Sequence, residues 1–528
     1  MRFARPVPLA PRPAPAPLIP AARHASPLRR RPRLLAALCL APLLTGCFAA
    51  SGDDDGDGGE RSAAGGGARL RVALAFPPAE NLSPYGADAT ILSRLGVTEG
   101  LTALDANGAA APALAASWRR ENDRSWLFTL REAVFQDGTD VTPAAVAASL
   151  TRATLAAPAP AALTGVAFTA KAEGGTSVRV TTARPDPVLP LRLSSPQLAV
   201  LSPKAYAKKD AVDPSGAATG PFELTERNGA AAAVLDRFDD YWGGRAQAPG
   251  VDVRFIADGG ARANALRTGQ VDVAEAIPVA QAAGLDADTR RETATTRTTS
   301  LHLNTRSGVF KDPALRAAAR AAVDASALAK GVYEGHADVG AGIYGPAVTW
   351  AASKRVQPAG RARAAAPGGA SVTLATYDNR PELPEVAQVL KQQLEKAGFR
   401  VKLEVREYAR LETDALAGKF DAFVGARNSL LDTGDPVSLL ASDFTCGGGY
   451  NLSLLCDKGV DRAVGTAQAV ADTGGRQDAA MAAEAAVLRT DAVVPLVHQR
   501  VVTGVDEDVR GVLLDPYERT LVGAGTRR

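Results

Sequence analysis

Leu70, Val72, Leu74 and Phe76 alternate with Arg71, Ala73 and Ala75, a period of two that predicts a strand ending at Pro77-Pro78. A loop with Asn81, Ser83-Pro84 and Tyr85 follows, then a helical pattern through Ile91, Leu92 and Leu95 and a polar turn at Asp105-Ala106-Asn107-Gly108. From Trp118 to about Val180 the texture changes to short strands, among them 125–131 and 177–180, around one helix with Thr142 as N-cap and Pro143 in its first turn. The Ala- and Pro-rich stretch 153–162 reads as a loop, and the whole region as a separate smaller subdomain.

The clearest pattern lies at 371–424. Val372–Thr376 predicts a strand, and Pro384–Ala397 a helix with Val386, Val389, Leu390 and Leu394 on one face and Gly398 as its stop. Phe399, Val401, Leu403 and Val405 alternate as a second strand, a short helix carries Leu411 and Leu416, and 420–424 forms a third strand. Strand–helix–strand–helix–strand implies an α/β fold with a parallel sheet and right-handed crossovers. Ligands bind at the carboxyl ends of such strands, which singles out the loops Tyr377-Asp378-Asn379-Arg380-Pro381 and 425–436. Their Arg and Asp side chains suit a zwitterionic or cationic ligand, although Asp, Asn, Gly and Pro also simply make turns.

Length and composition narrow the picture. At 528 residues, 46% hydrophobic and 22% charged with four cysteines, the chain holds about three domains and is neither a disulfide scaffold nor a multispanning membrane protein. The net charge of +3 hides an asymmetry, because residues 1–46 carry eight Arg and no acid, and without them the charge is −5. Nothing in that charge draws the body to nucleic acid. Arg29, Arg30, Arg31 and Arg33, the largely apolar run Leu34 to Leu44 and then Leu44-Thr45-Gly46-Cys47 resemble a bacterial lipoprotein signal with its lipobox. The apolar run is too short to span a bilayer. Cys47 is the expected lipidation site, and 47–68, rich in Asp and Gly, is a flexible tether whose spacing lacks the closing Glu of a calcium loop.

The motifs of catalysis are missing. His302, His336 and His498 are far apart, no G-x-S-x-G or P-loop occurs, and Gly340-Ala341-Gly342-Ile343-Tyr344-Gly345 is followed by Pro346 and reads as a loop. No enzymatic activity, cofactor or metal site is expected. Outside the cytoplasm Cys446 and Cys456 should oxidise together; a two-thiolate metal site there lacks further ligands.

From about residue 69 to the end the chain resembles the solute-binding lipoproteins of bacterial ABC importers, family 5, the peptide/nickel group. The matching stretches are Leu114-Ala115-Ala116-Ser117-Trp118, 128–131 continuing to Asp137-Gly138-Thr139, Thr219-Gly220-Pro221-Phe222, Tyr241-Trp242-Gly243-Gly244, 266–272, Leu303-Asn304-Thr305 and 310–316. The resemblance implies a two-lobed periplasmic-binding-protein type II fold with an extra subdomain and a two-stranded hinge. Lobe I would comprise 69–102, 221–303 and 495–528, the subdomain 103–220 and lobe II 304–494, with hinge crossings near Asn304 and Pro495-Leu496. It implies a lipid-anchored, monomeric receptor at the outer face of the cytoplasmic membrane that passes a small solute, first of all an oligopeptide, to a permease and its ATPase. A metal-chelate or other small-solute receptor, and more distantly a sensor or enzyme on the same scaffold, are the alternatives. In peptide-binding relatives an acid in a D-x-x-[DE]-P loop receives the ligand amine, which points to Asp432 first and Asp435 second. Arg380 resembles the position that takes a ligand carboxylate, Arg380 or Arg427 could hold a chelate, and Tyr85 and Tyr377 join the candidate set.

Overall fold

Eleven strands among the described residues share one sheet in the computed structural model, which describes residues 67–208, 211–306, 308–378 and 380–528. The leader, Cys47 and nearly all of the tether lie outside these. Across the sheet the order is Arg400–Arg406, Ser371–Tyr377, Ala422–Asn428, Arg290–Leu303, Val493–Val505, Val273–Ile277, Leu70–Leu74, Gly250–Phe255, Ala232–Arg237 and Phe222–Asn228, with Ala337–Val339 also paired to Val493–Val505. Ser371–Tyr377 is parallel to both of its neighbours, as the strand–helix alternation requires. The intervening helix Glu382–Lys396 buries Leu383, Val386, Leu390 and Leu394, carries Glu382 and Glu385 in its first turn, where they favour the helix dipole, and is followed by Gly398 at φ +102°. The third strand runs on to Asn428, beyond the expected 424, because Arg290–Leu303 offers it an antiparallel partner from Leu303↔Ala422 to Arg297↔Asn428.

Two long strands carry the chain from one half of the sheet to the other. Arg290–Ala294 pairs with Arg500–Gly504 in one half and Thr298–His302 with Val493–His498 in the other, and the ladder is interrupted between Ala294 and Thr298. The register shifts inside this ladder, between Ala294 and Thr298 and again between Thr299 and Ser300, lie between the two halves of the sheet, whereas the expected crossings at Asn304 and Pro495-Leu496 fall toward the far end of the same strands. Leu301, Leu303, Val494 and Leu496 already belong to the core of lobe II, packed with Phe310, Leu374 and Val424, because unbroken extended chain keeps them in its sheet.

The other cores are separate. Lobe I is built from Leu70, Val72, Phe222, Leu235 and Val251. The subdomain packs Phe128, Val178 and Val180 of its four-stranded sheet against Val146 and Leu150 of Pro143–Thr154, whose N-terminus is capped by Thr142 Oγ1 accepting from Ala145 N at 3.2 Å. Leu201, Ala205, Ala217 and Ala218 pack into lobe I instead, so the subdomain ends near Val200, before the expected 220. A helical part of lobe II gathers Tyr344, Val437, Leu440, Val464, Met481 and Val487, and takes in Tyr517 from the C-terminal segment. Cys446 and Cys456, between the helices Pro436–Phe444 and Lys458–Ala469, are bonded at 2.05 Å.

Candidate functional site

The carboxyl ends of Ser371–Tyr377 and Ala422–Asn428 lead into the loops that carry Arg380 and Asp432, with Arg427 near the end of the second strand. Arg380 lies 5.6 Å from the ring of Phe76, which follows the first strand of lobe I and is 47% exposed, and 3.9 Å from Glu382. Phe76, Arg380, Thr295, Leu513, Leu514 and Glu518 border a cavity of about 40 Å³ between the lobes. That is room for water, not for a peptide, while a cavity of about 520 Å³ beside it is bordered by Thr98, Glu99, Leu104, Ser194, Asp515 and Arg519.

Arg427 sits between two carboxylates, its Nη2 3.4 Å from Asp432 and its Nε 3.3 Å from Asp443, with the Tyr450 ring 4.9 Å away. Burial opposes its charge, but Asp443 and Asp432 outweigh burial and raise its pKa above the ordinary value. Asp432, 30% exposed at its side chain, is the accessible acid of the group. Deeper between the lobes Glu518 accepts from Arg297 at 3.0 and 3.2 Å and from Asn428 Nδ2 at 3.1 Å. Burial works against the Glu518 carboxylate, yet the Arg297 charge and hydrogen bonds, with Arg380 and Arg94 farther off, hold it down to about 2. On the lobe I side Arg94 pairs with Glu275 at 2.7 Å.

Three other candidates are committed to contacts within the protein. Asp435 is 1% exposed and turned inward, where it caps Pro436–Phe444 and is held by Arg476 through two bonds of 2.8 Å; a carboxylate so fully used has nothing left for a ligand. Tyr85 packs on the subdomain core, its hydroxyl 3.3 Å from that of Tyr206, which is 3.0 Å from Ser149 Oγ. Tyr377 is buried edge-on against Tyr408 at 4.9 Å, with its hydroxyl on the backbone of Ala426, so it supports the Arg427 strand and offers no free polar group. Among the described residues no three His, Cys, Asp or Glu side chains are grouped to hold a metal ion. His302 and His498 are core residues and His336 pairs with Glu292 at 3.2 Å.

The residues that sequence reasoning passed over are Phe76, Arg297 and the segment 513–520. Only Asp515-Pro516 gives a turn signal there, and nothing in the pattern says that Glu518 and Arg519 point into lobe II.

Gly434 shows how tightly the 429–435 loop is fitted. It has φ +70°, and a Cβ there would lie 2.8 Å from Leu104 Cδ1 and 3.6 Å from Leu191 Cδ2 of the subdomain side. Gly434→Ala is expected to cost about 1–3 kcal/mol, from backbone strain plus overpacking, and to raise amide exchange in 429–435 and in the Leu104 hairpin together. Unchanged exchange in both would show that the loop adapts.

The bacterial extracellular solute-binding protein family 5 model matches residues 109–451. The glutathione-binding protein GsiB of Shigella dysenteriae serotype 1 is 27% identical over 465 residues, 82% of this chain and 90% of that protein. Its counterpart in Escherichia coli K12 is likewise 27% identical. Among solved structures, NikA from Staphylococcus aureus in complex with Ni(L-His)2 superimposes with TM-score 0.74 at 19% identity, over 87% of this chain and 100% of that one. DppA from Helicobacter pylori in complex with the peptide STSA gives 0.69 at 20% identity, over 88% and 98%.

Proposed function

Since the chain belongs to the family 5 extracellular solute-binding proteins, receptors that deliver solute to an ABC permease and not enzymes, we propose that its cargo is a short peptide, held between the lobes with its amino group at Asp432 and a carboxylate at Arg380. The observation that carries this reading is that the loops after two neighbouring strands hold one accessible acid, Asp432 beside Arg427, and one cationic side chain, Arg380 over Phe76. A zwitterion of a few residues matches such a pair, and an ammonium–carboxylate bond in a water-poor cleft is among the stronger hydrogen bonds. The relatives named for glutathione, a tripeptide, agree with that class of cargo. With the lobes in contact, uptake takes the form of parting and reclosing around the ladder interruption near Thr295–Arg297, which acts as the hinge, and the permease reads the reclosed state.

The receptor acts as a monomer, tethered by lipid on Cys47 at the outer face of the cytoplasmic membrane. Cys47→Ser is expected to release it from the membrane fraction; a variant that stays membrane-bound removes the anchor.

The cargo is tested by native mass spectrometry of the body from Gly65 onward, purified without denaturation, followed by calorimetric titration with reduced glutathione and a set of di- to tetrapeptides. Peptide masses, and Asp432→Asn weakening the bound peptide by about 2 kcal/mol or more, support the reading. N-acetylation of the peptide should cost as much. A single metal-containing or sugar mass, or affinity indifferent to Asp432→Asn, removes the amine anchor.

A further inference from the structure

The C-terminal segment 513–522 touches all three bodies. It is fastened to lobe I by the amides of Leu521 and Val522 on Arg94 O, at 3.1 and 2.9 Å, and by Ser93 Oγ on Arg519 O at 2.8 Å. Its turn is wound on the Asp515 carboxylate, which accepts from the amides of Tyr517, Arg519 and Thr520 at 2.8–3.0 Å, and Glu518 is held at φ +59°. From that rigid turn Arg519, 4% exposed, reaches out: Nε donates to Leu431 O at 2.9 Å and Nη2 to Leu430 O at 3.0 Å in lobe II, while Nη1 donates to Ser194 O and Oγ, at 3.2 and 2.9 Å, on the subdomain side.

We propose that Arg519 is the positioning residue of the ligand cleft: its guanidinium fixes the two carbonyls immediately before Asp432 and, by bonding lobe II and the subdomain side from a turn anchored on lobe I, holds the lobes together. All four of its acceptors are neutral, so no carboxylate in direct contact offsets the removal of the charge from water. The arrangement holds only while every acceptor is in place, and when the lobes part water takes over the same donors. The two states are thus kept close in free energy, within reach of what a bound solute can tip. An arginine serving one core would bond within one body; this one divides its donors between two and is mounted on a third. The inference rests on the reading of 429–435 as a wall of the cleft, but not on the identity of the cargo.

The test needs no ligand. Spin labels at Thr169→Cys in the subdomain and Lys402→Cys in lobe II, both exposed, report the interlobe distance in the full body with Cys446–Cys456 oxidised. Arg519→Gln is expected to raise the ratio of long to short distances about tenfold or more, and Arg519→Lys, which keeps the charge without the fork, to do nearly the same. Ser194→Ala, which removes one acceptor, should give a smaller rise, and amide protection of Ser371–Tyr377 and Leu70–Leu74 should not change in any variant. A parent-like distance distribution in Arg519→Gln overturns the proposal, as does a loss of protection inside those two strands, which would mark a purely structural role. Should Arg519→Gln fail to fold, Ser194→Ala decides, and an unchanged distribution there overturns the proposal. A cargo other than a peptide would alter none of these results.

Discussion

Arg476→Met is expected to destabilise the helical part of lobe II by about 3–5 kcal/mol, because it strands a buried carboxylate. Asp435 and Arg476 are 1% and 7% exposed at their side chains and meet through two bonds of 2.8 Å. The same guanidinium donates to the carbonyls of Ala467, Gln468 and Val470, while Asp435 accepts from Ser438 N at 3.0 Å and Ser438 Oγ at 2.7 Å, so one pair joins three helices. Burial pushes the Asp435 carboxyl up, and the bonds and charge of Arg476, with the Ser438 hydroxyl, more than reverse it, leaving the pKa below its ordinary value. A depressed carboxyl pKa contributes stability that is present above the unfolded value, about 3.9, and is lost as pH falls through the lower folded value. In Arg476→Met the sign reverses. The unpaired acid then titrates above its unfolded pKa, so the deficit is largest near pH 7 and shrinks on acidification. Amide exchange of Pro436–Phe444 and Thr473–Arg489 at pH 7 and pH 5 reads both effects, and a deficit under 1 kcal/mol, or one that does not change with pH, would falsify the account.

Below pH 6.5 the protein should lose stability steeply through two core histidines, by about 3 kcal/mol each once pH is below 4. Burial lowers both His302 and His498 to about 4; beside His498 the Arg355 charge adds to the fall and Asp338 opposes it. Thr298 Oγ1 donates to Ile343 O at 2.9 Å and so accepts from His498 Nδ1, also 2.9 Å away, which leaves Nε2 as a buried acceptor without a partner among the described residues. A proton placed there would find nothing to bond. Gly345 lies against the same ring, where a Cβ would be 2.3 Å from His498 Cγ. His302 similarly donates to Ser453 Oγ at 3.3 Å, the hydroxyl being committed to Ala492 O, and stacks on Phe444 at 6.3 Å. At pH 7 both folded and unfolded histidines are neutral and nothing is lost. Between 6.5 and 4 the unfolded chain takes up protons that the folded one refuses. Urea midpoints from pH 7 to 4 should therefore fall less in a His302→Asn/His498→Asn double variant than in the parent, and parallel curves would exclude the histidines as the cause.

What could be read without coordinates follows from where side chains face. Val372, Leu374, Val401 and Leu403 alternate in the sequence because helices cover one face of their sheet, and Thr142-Pro143 marks a helix start by local hydrogen bonding alone. Arg290–Leu303 gives no such signal. Its first ten residues include five Thr and three Arg, because this central strand meets polar partners on both sides: Thr296 donates to Asn428, Thr295 to Gln499 O, and Arg297 to Glu518. Asp432 and Asp435 look alike in the D-x-x-D-P loop, and only the approach of Arg476 from forty-one residues away separates an accessible acid from a helix cap. Arg519 has no motif around it, since its role is set by carbonyls nearly ninety and more than three hundred residues distant.

Val493–Val505 lies between Arg290–Leu303 and Val273–Ile277, so the strand on which the two halves of the sheet meet is among the last to be synthesised. While the ribosome is still adding the middle of the chain, Ser371–Tyr377 and its parallel neighbours can begin to pair. The ladder common to both lobes has no counterpart until residue 505 is available. Pairing of such wide sequence separation is slow to nucleate. Each lobe's own strands are thus complete or nearly so before the two are joined, and the join waits on the last strand of the chain.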